Sequence, residues 1–406
     1  MHENQSALLL GRLITDNYLI VFETLNYIKK PRKKDNGFVG IKLDIAKAYD
    51  SLEWDFIDYT LKTMGFPSKF IQIIMNCIKT VSFSILIDGQ PTDSFHPSRG
   101  LRQGDPLSPY LCIICAEVLS SLLSKAQADG LIQGIAIATN APNISHLLYV
   151  DDNILFCRAK LSEARAIMNI LQLYQEVSGQ MINLDKSEMV FSPNISQDFK
   201  RRFQECLPVK ISDSICKYLG MPTQFGRSKE QDVYFIMDRI WKKLKGWKEK
   251  SLSFEGIGVL IRAVAQAIPT YYMSCFLLPK GLCSKIDKVA CSFWWGTNDS
   301  KKKIHWTRKE NLFKSKHSGG VGFKILREFN LAMLAKQVWR FQTNPSSLIT
   351  RCSKAKYFPH VDILQAPLGS NPSFAWRSIH NSIWAVLKGS CWRIRDGNTA
   401  KIWGDN

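Results

Sequence analysis

Three separated segments of the 406-residue chain carry side chains that could do chemistry together. Asp44 stands near the end of the alternating run Phe38 to Ile45, where Val39, Ile41, Leu43 and Ile45 share one face and Lys42 and Asp44 the other. Asp151 and Asp152, with Asn153, sit between two apolar arms spanning His146 to Cys157, the pattern of a hairpin with carboxylates at its tip. The third segment is the glycine-containing turn Ser98-Arg99-Gly100-Leu101-Arg102-Gln103-Gly104-Asp105-Pro106. An Asp-Asp pair in a turn is most often merely solvated; here the apolar arms change the reading, because packed arms hold the two acids at a fixed tip. Carboxylates held close raise one another's pKa unless a cation lies between them. Hard oxygen donors with no thiolate or imidazole beside them select Mg²⁺ or Mn²⁺ over zinc. Two such ions about 3.5 to 4 Å apart activate a hydroxyl on one side and stabilise a departing pyrophosphate on the other. The chemistry implied is phosphoryl or nucleotidyl transfer.

The elements that must position these groups follow from periodicity. Trp54, Ile57, Leu61 and Met64 recur at helical spacing until Gly65 and Pro67 stop the helix. Val81, Phe83, Ile85 and Ile87 alternate as a strand that Asp88-Gly89 turns into a hairpin. A helix is expected from about Leu107 to Ala126, and Ala164, Ile167, Met168, Leu171 and Tyr174 mark another that Gly179 ends. The order is β-α-β-β-α-β, an α+β series of the split-βαβ, ferredoxin-like kind. Beyond about residue 196 the chain turns basic and mostly helical, which places a domain boundary near 195 to 225.

Composition narrows the function classes. With 45% hydrophobic and 22% charged residues the chain can bury a large core, which excludes disorder as its main state. The net charge of +19 is unevenly spread: residues 1 to 200 hold 19 basic and 21 acidic residues, residues 201 to 406 hold 35 and 14. Ten of the 11 tryptophans lie in that basic half. Nucleic acid is the expected partner, approached by charge and by flat rings that can stack on bases, although the tryptophans by themselves read better as core. Lys29 to Lys34, Lys-Lys-Pro-Arg-Lys-Lys, is a short basic loop open to three readings: a nuclear import signal, a phosphate contact, or a solvated loop. The longest apolar runs are broken by Glu117 and by Arg262 and Gln266, and residues 1 to 10 lack a signal-peptide pattern, so no membrane segment is expected and the chain should stay inside the cell. The 11 cysteines, irregularly spaced and including Cys112 and Cys115 in an apolar run, read as reduced buried thiols.

The same residues resemble a known family. Phe38 to Trp54, Phe-Val-Gly-Ile-Lys-Leu-Asp-Ile-Ala-Lys-Ala-Tyr-Asp-Ser-Leu-Glu-Trp, is similar to motif A of reverse transcriptases; Ser98 to Tyr110 resembles motif B, and Tyr149-Val150-Asp151-Asp152 motif C. Gly179 to Ser187 is similar to motif D and Tyr218-Leu219-Gly220 to the primer-grip segment. The nearest resemblance is to plant LINE-type, non-LTR retrotransposon reverse transcriptases, continued by Leu244-Lys245-Gly246-Trp247, Phe293-Trp294-Trp295-Gly296 and Gly319-Gly320-Val321-Gly322 in what would be the thumb and the region after it. It implies a right-hand polymerase: a partial fingers segment at 1–37, a palm with inserted fingers elements at 38–195, a thumb-like basic helical region at 196–300, and a basic, Trp-rich helical region of open role at 301–406.

The resemblance further implies that Asp44, Asp151 and Asp152 hold two Mg²⁺ ions, with Mn²⁺ as a substitute. Tyr49 would exclude a ribose 2′-hydroxyl and so select deoxynucleoside triphosphates. Gln103 and Gly104 would border the incoming nucleotide, Lys186 would protonate or neutralise the departing pyrophosphate, and Arg12 would face the triphosphate. Arg99, Arg102, Tyr218, Leu219 and Gly220 would contact the RNA template and DNA primer. The metal tip reads Tyr-Val-Asp-Asp where plant relatives more often have Phe-Ala-Asp-Asp, a change that keeps the aromatic residue and both acids. Relatives carry an endonuclease and a further fingers segment before this point, and a Cys/His zinc-binding segment or ribonuclease H domain after it, so a truncated element is expected. Two other classes compete: a non-catalytic nucleic-acid-binding remnant of a degenerate retrotransposon, and a palm-fold nucleotide cyclase, which the motif B turn and the long basic half argue against. The sequence leaves the oligomeric state open.

Overall fold

The computed structural model describes residues 1–30, 37–226, 228–248, 252–296 and 303–391. Residues 31–34 of the basic run and the chain end at Asp405 and Asn406 lie outside the described residues. The chain forms two units, residues 1–223 with 347–352, and residues 224–346 with 353–406.

In the first unit α1 (Ile14–Ile28) is buried along most of its length and covers one face of β1 (Phe38–Ala46). A Cβ at Gly40 would lie 3.2 Å from Leu25 and 3.3 Å from Ile28, so the missing side chain lets helix and strand meet. The other face of β1 buries Val39, Ile41 and Leu43 in the main core. The chain continues through α2 (Trp54–Thr63), α3 (Ser68–Lys79), the hairpin of β2 (Leu86–Ile87) and β3 (Gln90–Pro91), and α4 (Ser108–Ala128). Then come β4 (His146–Leu147), β5 (Asp152–Arg158), α5 (Leu161–Ser178), β6 (Met181–Ile182), β7 (Glu188–Phe191), α6 (Gln197–Cys206), β8 (Lys210–Ile211) and the hairpin of β9 (Lys217–Tyr218) and β10 (Met221–Pro222). The main sheet has the order β4-β5-β1-β7-β8, with β6 pairing the end of β1. The first strand therefore lies between the third and fourth strands of the β-α-β-β-α-β series, as the ferredoxin-like expectation requires.

One expectation is corrected. The strand read at Val81 to Ile87 shrinks to Leu86–Ile87 with a single bridge from Phe83 to Phe95, and among the described residues its hairpin joins no larger sheet: Ile85, Leu86 and Ile87 are exposed, so alternation there does not mark a core face. The boundary falls after Thr223, within the expected range of 195 to 225 and at its far end, because α6 packs Phe203 into the core and β8 pairs in parallel with β7. By length and composition alone, α4 is long and apolar enough to cross a membrane. Its Leu111, Cys115, Leu119 and Leu123 are core residues of this unit, and its Glu117 accepts from the His2 backbone N–H.

The second unit is helical: α7 (Lys229–Asp232), α8 (Tyr234–Lys248), α9 (Phe254–Leu260) running into a π-turn at Ile261–Ala265, α10 (Thr270–Met273), α11 (Lys280–Trp294), α12 (Lys309–Phe313), α13 (Leu326–Thr343), α14 (Leu348–Tyr357), α15 (Phe374–His380) and α16 (Ile383–Gly389), with α14 divided between the units. Buried amides tie its turns to α13. Asn330 accepts from Leu278 N–H at 2.7 Å and donates to the carbonyls of Met273 at 2.8 Å and Phe276 at 2.9 Å. Trp376 is buried and stacks on Tyr357, with ring centroids 4.4 Å apart. Trp306 is 80% exposed, so the tryptophans divide between core and surface.

Candidate active site

The register of β1 against β5 sets Asp44 directly opposite Asp152. Opposed residues of an antiparallel pair share a face, with Cα atoms about 4.5 to 5.5 Å apart, so the two carboxylates belong to one surface. Asp151 precedes Asp152 in a tight turn closed by Asp152 N–H donating to the Tyr149 carbonyl at 3.1 Å. Val150 in this turn has φ +56°, a left-handed conformation that a β-branched residue rarely adopts. Strain of this kind, on the order of 1–2 kcal/mol, persists where packing dictates the turn. The packing here is visible: Leu148 N–H donates to the Asn4 carbonyl at 2.9 Å, and the Leu148 carbonyl accepts from the Asn17 side chain at 2.9 Å.

Asp44 is fixed from the opposite side. Its N–H donates to Ser187 Oγ at 3.1 Å, and its carbonyl accepts from Asn183 N–H at 2.8 Å. Lys186 lies in the same short loop, exposed, with its N–H donating to Asn183 Oδ1 at 3.2 Å. Lys42, on the face of β1 that carries Asp44, places its ammonium 3.8 Å from Asp152 Oδ1. Burial pushes the Asp152 carboxyl above its ordinary value; Lys42 opposes the shift, and Asp151 and Asp44 add to it. Burial likewise raises Tyr49, with further push from Cys112 and Asp151. Cys112, beneath this corner, is pushed up to about 12 by burial and then by Asp151. The Asp151 charge thus adds to the upward shifts of Asp152, Tyr49 and Cys112.

The motif B turn is docked on the segment after Asp44. Gly100 N–H donates to the Leu52 carbonyl at 2.7 Å and Leu101 N–H to the Tyr49 carbonyl at 2.8 Å. Gly100 has φ +88°, and a Cβ there would meet the Asp50 carbonyl oxygen at 2.5 Å. Arg99 pairs with Glu53 at 3.1 Å. Arg99, Arg102 and Gln103 line a cavity of about 380 Å³ floored by Ile78, Phe83 and Leu111. Gly104 is open on all sides, with φ +93°. The cavity borders the acidic corner at Asp50 but is not lined by Asp44, Asp151 or Asp152.

One expected ligand contact takes other partners. The Arg12 guanidinium donates to the carbonyls of Met1, His2 and Gln5. It staples the chain start, whose Asn4 and Ser6 pair with Leu148 of the acid-bearing hairpin, so it holds structure where a triphosphate contact was expected. Tyr218 is fully buried and Leu219 8% exposed, so any contact of this turn with template or primer falls to its backbone and Gly220. Leu219 at φ +48° and Gly220 at φ +76° make this a tight left-handed turn. The residues that sequence reasoning left without a role are Lys42, Asn183 and Ser187; the shared face of Lys42 and Asp44 was the available signal.

The donor set near Asp44 is all carboxylate, which suits a hard divalent ion. Among the described residues, no group of three or more His, Cys, Asp or Glu side chains is arranged to hold a metal ion.

Comparison with known proteins places these features in context. Residues 1–223 match the family model described as reverse transcriptase (RNA-dependent DNA polymerase). An uncharacterized mitochondrial protein of Arabidopsis thaliana is 41% identical over 140 residues, 34% of this chain and 91% of that protein. The retrovirus-related Pol polyprotein from the type-2 retrotransposable element R2DM of Drosophila melanogaster is 32% identical over 145 residues, 36% of this chain, and the chain spans only 13% of that polyprotein. Telomerase from Candida tropicalis, solved in complex with a fragment of telomeric RNA, aligns with 87% of this chain and 54% of its own at 14% identity and a TM-score of 0.38.

Proposed function

This chain belongs to the reverse transcriptase (RNA-dependent DNA polymerase) family, and from that premise we propose that its first unit extends a DNA primer on an RNA template, as part of a non-LTR retrotransposon protein. The observation that carries the proposal is the register of Asp44 against Asp152, with Asp151 next to it on a strained turn. Asp44, Asp151 and Asp152 would hold two Mg²⁺ ions, or Mn²⁺, which supply charge for activating the primer 3′ hydroxyl and stabilising pyrophosphate. Tyr49 presents its ring where a ribose 2′-hydroxyl would stand and so favours deoxynucleoside triphosphates. Gln103 supplies an amide and Gly104 open backbone beside the incoming nucleotide, while Arg99 and Arg102 face the template. Lys186 brings a cation, on a loop anchored to Asp44, to the departing pyrophosphate. The excess of basic over acidic residues beyond position 200 suits a clamp on nucleic acid. We propose further that the protein works inside the cell, away from membranes, with Lys29 to Lys34 directing it to the nucleus.

Primer extension by the purified chain on poly(rA) with an oligo(dT) primer, thymidine triphosphate and Mg²⁺ tests this reading, and Asp151→Asn should abolish it. Equal incorporation by both proteins would end it. A second reading, a non-catalytic nucleic-acid binder, draws on the finding that no three candidate ligands converge among the described residues. It predicts salt-dependent RNA binding indifferent to Asp151→Asn, with no extension by either protein.

A further inference from the structure

Lys42 stands where three parts of the first unit meet. It is two residues before Asp44 on β1 and on the same face, and its Cα partner across the sheet is Ile154 of the strand that begins at Asp152. Its ammonium lies 3.8 Å from Asp152 Oδ1 and donates to the Lys217 carbonyl at 3.3 Å. The side chain is 22% exposed, against 38% for Asp152, so the stem is packed and the ammonium is directed at these two acceptors. Lys217 opens the tight hairpin whose turn is Leu219-Gly220. One cation therefore joins an acid of the active corner to the base of a hairpin more than 50 residues further along the chain.

We propose that Lys42 is a positioning residue that serves as the resident cation of the acidic corner, holding Asp152 and the 217–222 hairpin together until a divalent ion takes its place. The inference rests on the proposed reading of Asp152 as a ligand. The ammonium and a divalent ion cannot share the Asp152 oxygens without repulsion. At about 5 Å, even with water-like screening, that repulsion weakens ion binding by about tenfold. Binding the ion turns the ammonium away from Asp152, and the bond to the Lys217 carbonyl goes with it. The hairpin is thereby coupled to occupancy of the acidic corner: held when the corner lacks the ion, released when it is filled.

The test is Mn²⁺ binding to the full chain, read from the electron paramagnetic resonance signal of free Mn²⁺, for the wild type, Lys42→Met and Lys42→Arg, with Asp44→Asn defining the site. Lys42→Met should bind Mn²⁺ about tenfold more tightly and Lys42→Arg about as the wild type does. Amide hydrogen exchange across residues 217–222 should be faster in Lys42→Met without metal, matching the wild type saturated with Mn²⁺. A general loss of packing would loosen the hairpin but would not tighten metal binding. Wild-type binding that Asp44→Asn removes, together with equal or weaker binding by Lys42→Met, overturns this inference alone. Absence of a site sensitive to Asp44→Asn overturns it together with the polymerase reading.

Discussion

Gly100 and Gly104 share a positive φ but differ in surroundings, and the pair measures how firmly the motif B turn is seated. Alanine at either position adopts a left-handed conformation at a cost of about 1–2 kcal/mol. At Gly104 nothing lies within 4 Å of the added methyl, so that cost is the whole effect. At Gly100 the methyl would lie 2.5 Å from the Asp50 carbonyl oxygen, and backbone must move to admit it. The movement weakens the Gly100–Leu52 and Leu101–Tyr49 hydrogen bonds, at 2.7 and 2.8 Å, each contributing about 0.5–1.5 kcal/mol net. Gly100→Ala is therefore expected to cost about 2–5 kcal/mol, lowering Tm by roughly 4–20 °C against about 2–8 °C for Gly104→Ala in a unit of this size. Ten of the 11 tryptophans lie beyond residue 200, so fluorescence would report mostly on the other unit; hydrogen exchange by β1 and α4 peptides during a thermal ramp is the suitable assay. Equal destabilisation by the two substitutions would refute the close approach of Gly100 to Asp50.

Ser187→Ala removes the hydroxyl that accepts from Asp44 N–H, and should lower kcat about tenfold with little change in primer affinity; an equal rise in KM would contradict the positioning role. Asp287 is buried against Lys309, and its carboxyl is raised by burial more than Lys309 lowers it. A raised carboxyl stabilises the fold below its ordinary value of 3.8 and loses that contribution as pH climbs through the raised value. Urea midpoints of the wild type should therefore decline across that window, and those of Asp287→Asn should decline less. Iodoacetamide at pH 8 should label exposed Cys77, Cys216 and Cys391 well before Cys112, which burial holds at about 12; peptide mass spectrometry over a time course decides this.

The parts legible in the sequence are those set by local pattern. The alternation through Val39, Ile41 and Leu43 fixed which face of β1 is core, and with it the face that bears Asp44. Apolar arms around Asp151 and Asp152 announced the hairpin, and Gly100 and Gly104 the special backbone of the turn. What was not legible depends on pairing between distant segments. Arg12 has the composition of a phosphate clamp, and only the folded chain shows that residues 1 to 5 consume its donors. The Val81 to Ile87 alternation looked like a core strand because periodicity cannot tell a sheet member from a free hairpin. The basic shift at residue 196 located the domain edge only to a range of 195 to 225, because charge marks surface, while the edge itself, after Thr223, follows the pairing of β8 with β7. Lys42 was seen beside Asp44, but its reach to Lys217 is a tertiary fact.

Everything chemical in this account depends on Asp44 and Asp152 acting as one site across the β1–β5 ladder. The most direct test is single-turnover incorporation of one deoxynucleotide on an RNA-templated primer, comparing the wild type with Asp44→Asn and Asp152→Asn at saturating primer. Measurable turnover is expected in the wild type and a fall of at least about a hundredfold in the rate constant for Asp44→Asn, because the proposed ligand to the reacting ions is lost. Asp152→Asn should also slow the step. Undiminished incorporation by Asp44→Asn would contradict this account.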